Sequence, residues 1–122
     1  MGADDPRPLW IRLAGEYHRR IAAGEWTAGG RVPSVRELAL ESGVNPNTVQ
    51  RALADLDASG LTAAERTAGR FVTDDASAIA AVRVELAASA TDRHIHTLRG
   101  LGLGLEDTRR LLIERWPLTG GE

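Results

Sequence analysis

The 122-residue chain has no cysteine, which excludes a disulfide framework and a thiolate metal site. It has no lysine either: all 15 basic residues are arginine. Arginine can pair bidentately with guanine or phosphate. Alanine and glycine are also abundant, however, and coding bias is the simpler explanation. No apolar run approaches the length needed to span a bilayer, and Met1 to Pro8 does not look like a signal peptide. A soluble, cytoplasmic protein that does not touch membranes is therefore the default expectation. Strong positive charge is missing too. The formal net charge is −2, which argues against indiscriminate coating of nucleic acid. No nucleophile has an adjacent base, so no enzyme is expected, and no cofactor is implied. His94 and His96 are two residues apart and would point in nearly opposite directions on a helix, so they cannot clamp one metal ion.

The chain does hold 43% hydrophobic residues, enough for a core. Its charge is unevenly placed. Arg7 to Thr73 carries nine arginines against seven acids, a net +2, and Asp74 to Glu122 carries six arginines against eight acids, a net −2. The positive excess coincides with the most informative stretch, Val32 to Leu61. There Ser34 and Glu37 form a capping-box pattern, the hydroxyl taking a backbone N–H and the carboxylate reaching back to the cap. Val35, Leu38, Ala39 and Ser42 follow on one side at helical spacing. Gly43 suits the left-handed end of that helix. Asn45 caps a second helix with Pro46 at its first position. Val49, Ala52, Leu53 and Leu56 form its buried stripe, and Gly60 stops it.

Asn47, Thr48, Gln50 and Arg51 lie off that stripe, in the first turns of the second helix, and no acid occurs among them until Asp55. A helix that enters the DNA major groove by its N-terminal end presents such a surface, and its positive dipole end faces phosphate. The plainer possibility is a solvated face on a small helical domain. The agreement of both caps, the turn and the polar first turns favours a helix-turn-helix.

Met1 to Arg7 reads as a loose tail. A helix runs from Pro8 or Leu9 to about Ala23, with Trp10, Leu13, Ala14, Tyr17 and Ile21 on one face and His18 half-exposed beside it. Glu25 to Val32 is a tight connection. After Gly60, Leu61 to Glu65 is weakly strand-like and Arg70 to Thr73 clearly so. With Arg66 to Gly69 between them, they make a hairpin. A hairpin directly after a recognition helix is a wing, and its tip would set Arg66 and Arg70 against the minor groove or phosphates. Ala76 to about Leu101 reads as one long helix with two apolar stripes, one through Ile79, Val82, Leu86 and Ala90, the other through Val84, Thr91, Ile95 and Leu98. Gly100 to Gly104 is a hinge or turn. Its lone glycine alternation follows no strand, which rules out a nucleotide-binding loop. Leu105 to Trp116 is a last helix, with Leu105, Leu112, Ile113 and Trp116 apolar, and Leu118 to Glu122 a tail. The last two helices hold about forty residues, too few to bury their apolar faces alone.

In order and spacing, several stretches resemble the N-terminal domain of GntR-type bacterial transcription regulators. They are P-L-W at Pro8, I-x-x-G from Ile21, V-P-S-V-R-E-L-A from Val32, V-N-P-N-T-V-Q-R-A-L from Val44, L-x-x-x-G-L from Leu56 and G-R-F-V from Gly69. The likeness runs from Pro8 to Thr73. The two-helix remainder is similar to the YtrA subfamily, whose short C-terminal part serves dimerisation and whose members commonly repress operons for ABC-type transporters. The resemblance implies that Arg36 contacts DNA and that Thr48 contacts the backbone at the start of the recognition helix. Pro46 and Gln50 stand where many members have Arg, which shifts base reading onto Asn47, Gln50 and Arg51. Thr67 replaces the first glycine of the family's G-x-G wing.

The expected fold is mainly α with a small β-hairpin: a tail (1–7), a winged helix-turn-helix (8–75) and a two-helix dimerisation region (76–122). The expected function is a sequence-specific transcriptional regulator, a repressor that binds an inverted-repeat operator in double-stranded DNA as a homodimer, with half-sites about one helical turn apart. Its DNA-facing residues are Arg36, Asn45, Asn47, Thr48, Gln50, Arg51, Arg66, Thr67, Gly69 and Arg70, and its dimer residues Ile79, Val82, Leu86, Ile95, Leu98, Leu112 and Trp116. The rival class is a protein-interaction module that does not itself bind DNA. A small-molecule effector is compatible with a dimer interface, but no residue set specifies one.

Overall fold

The computed structural model describes residues 5–120. The first four residues of the expected N-terminal tail and the last two of the C-terminal one lie outside that range. The elements run α1 (Leu9–Ala22), α2 (Val35–Ser42), α3 (Pro46–Ala58), β1 (Thr62–Glu65), β2 (Gly69–Val72), α4 (Ala76–Gly100) and α5 (Leu105–Arg115), followed by a 3-10 turn (Trp116–Thr119). The chain divides into two compact units, Met1–Val84 and Glu85–Glu122.

The first unit is a winged helix-turn-helix. Its core is built from the apolar stripes seen in the sequence. Leu13, Ala14, Tyr17 and Ile21 of α1, Leu38 and Ala39 of α2, and Val49, Ala52, Leu53 and Leu56 of α3 are all buried together with Val32, Leu61 and Val72. The four α3 residues are completely inaccessible, and burying each leucine contributes roughly 1.5–3 kcal/mol. Tyr17 also stacks on Trp26, ring centroids 5.0 Å apart, and Arg20 lies over both rings. Trp26 thereby covers one edge of the core from within a segment that the sequence suggested was only a connection.

Local signals set the ends of the helices. The Ser34 hydroxyl accepts the Glu37 N–H at 3.1 Å. The Glu37 carboxylate takes the same hydroxyl's hydrogen at 3.2 Å, rather than the cap backbone that a full capping box would use. Gly43 closes α2 at φ 67°, a left-handed geometry that a side chain would strain. The α3 terminus is a Schellman motif, with Leu61 N–H bonded to Leu56 O and Gly60 N–H to Asp57 O.

The wing is a two-stranded antiparallel hairpin in which Thr62 faces Val72, Ala64 faces Arg70 and Glu65 faces Gly69. A third short piece of chain joins it. Arg31 bridges Phe71 antiparallel, with Val32 N–H bonded to Arg70 O at 2.8 Å and Val72 N–H to Gly30 O at 2.9 Å. The connection before α2 therefore covers one side of the hairpin. Pairing between residues some forty apart leaves no local pattern, which is why this stretch read as a plain connection.

The boundary expected after Asp75 falls instead inside α4. Ile79 is buried in the core of the first unit and Val82 packs against that core. Arg83 Nε donates to Ala22 O, 3.1 Å away, at the end of α1. These contacts tie the first two turns of α4 to the winged helix, and they correct the assignment of Ile79 and Val82 to a dimer stripe.

In the second unit, Leu98 is buried within the chain, which corrects its assignment to the dimer stripe, and its carbonyl accepts both the Leu101 and Leu103 N–H groups. The glycine-alternating segment is thus a compact helix stop. The Asp107 carboxylate accepts the Gly104 N–H at the start of α5. Helix α5 ends at Arg115, because Pro117 cannot continue it. Trp116 and Leu118 then enter the 3-10 turn rather than a last helical turn and a free tail.

Candidate nucleic-acid interface

Asn45 holds the start of α3. Its side-chain oxygen accepts the Asn47 N–H at 2.8 Å, and Pro46 occupies the first helical position. With Val49, Ala52, Leu53 and Leu56 turned inward, helical rotation leaves Asn47, Gln50 and Arg51 on the exposed side, with Thr48 half-buried beside them. The helix-turn-helix thus presents amide and guanidinium groups at the positive end of its second helix.

Gln50 and Arg51 flank that helix on different sides. Gln50 lines an open polar cleft with Ser34, Arg31, Arg66, Thr67, Gly69 and Arg70. The cleft lies between the start of the helix pair and the wing. Arg51 turns toward α1 instead, its guanidinium carbon 4.3 Å from the centre of the Trp10 ring. Cation–π contact at an exposed site contributes about 0.5–1 kcal/mol, enough to bias where this arginine rests without locking it. Arg36 is exposed on α2 and borders an apolar recess formed by Val35, Ala39, Leu40, Val44 and Pro46. The sequence-derived residues therefore surround α3 without forming one cluster.

The wing differs from expectation at one position. Arg66 and Thr67 occupy the exposed tip, but Arg70 does not. It lies in β2, where its Nε and Nη2 each reach the Asp57 carboxylate at 3.0 Å, and its side chain is only 21% exposed. The same carboxylate accepts the hydroxyl of Thr62, a residue that is itself buried. Asp57 sits at the end of α3, so this cluster braces the wing against the recognition helix. Strand alternation carried the signal. Arg70 shares a face with Val72, which is buried, and not with Phe71.

Arg31 is the residue that sequence reasoning missed. A Cβ placed on Gly69 would come within 3.1–3.4 Å of its guanidinium, so the side chain lies across the wing at that glycine. The φ of 106° favours glycine at 69, because a side chain there would be strained; the arginine itself is flexible and can shift from an added Cβ. Among the described residues, no three His, Asp or Glu side chains gather as a metal site, and no helix is long and apolar enough to cross a membrane.

A recognition helix with a free polar N-terminal face, braced to a β-wing, defines a winged helix-turn-helix DNA-binding module. Residues 12–72 match the family model for bacterial regulatory proteins of the gntR family, and the chain belongs to the GntR family of transcription regulators. It is similar to the HTH-type transcriptional repressor YtrA of Bacillus subtilis, at 32% identity over 59% of this chain and 58% of that one. A GntR family transcriptional regulator from Listeria monocytogenes superposes with a TM-score of 0.82 at 31% identity, over 91% of this chain and 97% of the other. The AraR DNA-binding domain, solved in complex with operator ORR3, superposes with a TM-score of 0.54 at 26% identity, over 60% of this chain and 88% of that domain. These relatives are regulators, not enzymes.

Proposed function

We propose that the chain is a homodimeric repressor that reads an inverted-repeat operator in double-stranded DNA. The observation that carries this reading is the α3 N-terminal face. Asn47 and Gln50 are exposed there, free of acids, beside a wing whose tip holds Arg66. In the related AraR domain the bound molecule is an operator. Asn47 and Gln50 carry the amide groups that pair bidentately with adenine. Thr48 and Arg36 contact backbone or base at the edges of the groove, and Arg51 reaches a base by leaving the Trp10 ring. Thr67 and Gly69 approach the minor groove with Arg66.

The dimer rests on the apolar surface of the second unit. Ile95, Leu112, Ile113 and Trp116 are exposed there, Leu112 by 46% and Trp116 by 56%, and Leu86 is half-buried. A two-fold partner would cover such a surface and set two recognition helices about one helical turn apart. Repression follows the YtrA relative, a repressor by name. A transporter operon as the target rests on the YtrA-like resemblance alone.

Selection of a random duplex library by the purified protein tests the reading. An enriched inverted repeat whose affinity falls steeply with salt supports it. An enriched single half-site keeps the recognition helix and removes the dimer. No enrichment from a folded protein favours the protein-interaction module.

A further inference from the structure

We propose that Arg31 is a DNA-backbone contact, holding a phosphate of the duplex between the recognition helix and the wing. The proposal rests on the DNA-binding reading above and adds a residue outside the helix-turn-helix to it. Three observations carry it. First, Arg31 is exposed and makes no ion pair with any described residue, unlike Arg70. Second, its backbone is fixed by the bridge to Phe71, and its guanidinium lies over Gly69, where no side chain competes for the space. Its side chain therefore rests beside the wing with its charge available to a ligand. Third, it lines the same cleft as Gln50 on one side and Arg66 and Thr67 on the other. A strand whose bases meet Gln50 and whose minor groove meets the wing tip has to pass its phosphates across that cleft.

The charges in the cleft make Arg31 decisive. Arg31, Arg66, Arg70 and Glu65 line it. The Asp57 carboxylate neutralises Arg70, which leaves two arginines against one acid. Removing Arg31 brings that balance to zero. A phosphate contact of this kind positions the protein and carries no base preference.

The test compares Arg31→Gln, Arg31→Lys and Arg109→Gln with the wild type. Arg109 is a strongly exposed arginine of α5 and controls for the loss of one charge elsewhere. Each protein is titrated, by fluorescence anisotropy over a range of salt concentrations, against the duplex enriched from the library and against an unrelated duplex. The expected result is that Arg31→Gln weakens binding to both duplexes by the same factor and reduces the slope of log K against log salt by about one per protomer bound. Arg31→Lys restores the slope, and Arg109→Gln leaves it at the wild-type value. A wild-type slope in Arg31→Gln, or a loss confined to the enriched duplex, overturns the proposal while leaving the DNA reading intact. A wild type that binds neither duplex overturns both.

Discussion

Asp57→Asn tests whether the recognition helix and wing form one rigid reading head. The wild-type carboxylate accepts two guanidinium hydrogen bonds from Arg70 and one from the Thr62 hydroxyl. The substitution removes the charge and leaves one oxygen to serve three donors. Thr62 is 3% exposed, so an unsatisfied hydroxyl there costs about 1–3 kcal/mol. Arg70 is 21% exposed and can recover part of its solvation from water, which limits its share to about 1 kcal/mol. The sum is a destabilisation of about 2–4 kcal/mol, a large part of the 5–15 kcal/mol typical of a domain. Urea unfolding at fixed protein concentration measures it, and a cycle with Arg70→Gln isolates the coupling, expected at about 1–2 kcal/mol. A loss below about 0.5 kcal/mol, or additive effects of the two substitutions, would refute the brace. The same variant should weaken binding to the enriched duplex with little change in salt slope, because Arg70 is a strut and not a phosphate contact.

Three further outcomes follow from the packing. Tyr17 is buried and its hydroxyl has no hydrogen-bond partner among the described residues, and burial pushes its phenol up to about 12. Tyr17→Phe should therefore be neutral or stabilising by up to about 1 kcal/mol, and a loss above 1 kcal/mol in urea would reveal a partner for that hydroxyl. Asn45→Ala should cost about 1 kcal/mol through loss of the α3 cap, and thermal unfolding unchanged within a degree would contradict the cap's role. Hydrogen bonding from Arg19, with Arg20, holds the Glu16 carboxyl down to about 2, below its ordinary 4.5. Its stabilisation is thus complete above pH 4.5 and lost as the pH falls toward 2. Discounted for a side chain 30% exposed, it amounts to about 1 kcal/mol, and acid unfolding of Glu16→Gln should lack that part of the pH dependence.

What the sequence revealed and what it hid divide along the range of the interactions. The caps at Ser34 and Asn45, the turn at Gly43 and the α3 stripe are written in residues at most four apart, and each appears in the fold where the pattern put it. The hairpin was legible for the same reason. The Arg31 bridge to Phe71 was not, because it joins distant segments. Ile79 and Val82 have the apolar spacing of an interface stripe, and periodicity cannot say which of two surfaces such a stripe meets. Arg70 was misplaced although alternation with Val72 pointed inward. A basic residue near a turn invites an exposed reading, and only Asp57, thirteen residues earlier, explains its burial. Arg51 shows the converse, a base-reading candidate whose resting position is set by an aromatic ring on another helix.

The central claim is that the N-terminal face of α3 reads bases, and library selection repeated with Gln50→Ala tests it most directly. Gln50 is exposed and carries no core contact, so the variant should fold as the wild type does. The expected result is the same overall motif with base preference relaxed at one position in each half-site, and an affinity loss of about 1–3 kcal/mol on the wild-type duplex. An enriched motif identical to that of the wild type at every position would contradict it.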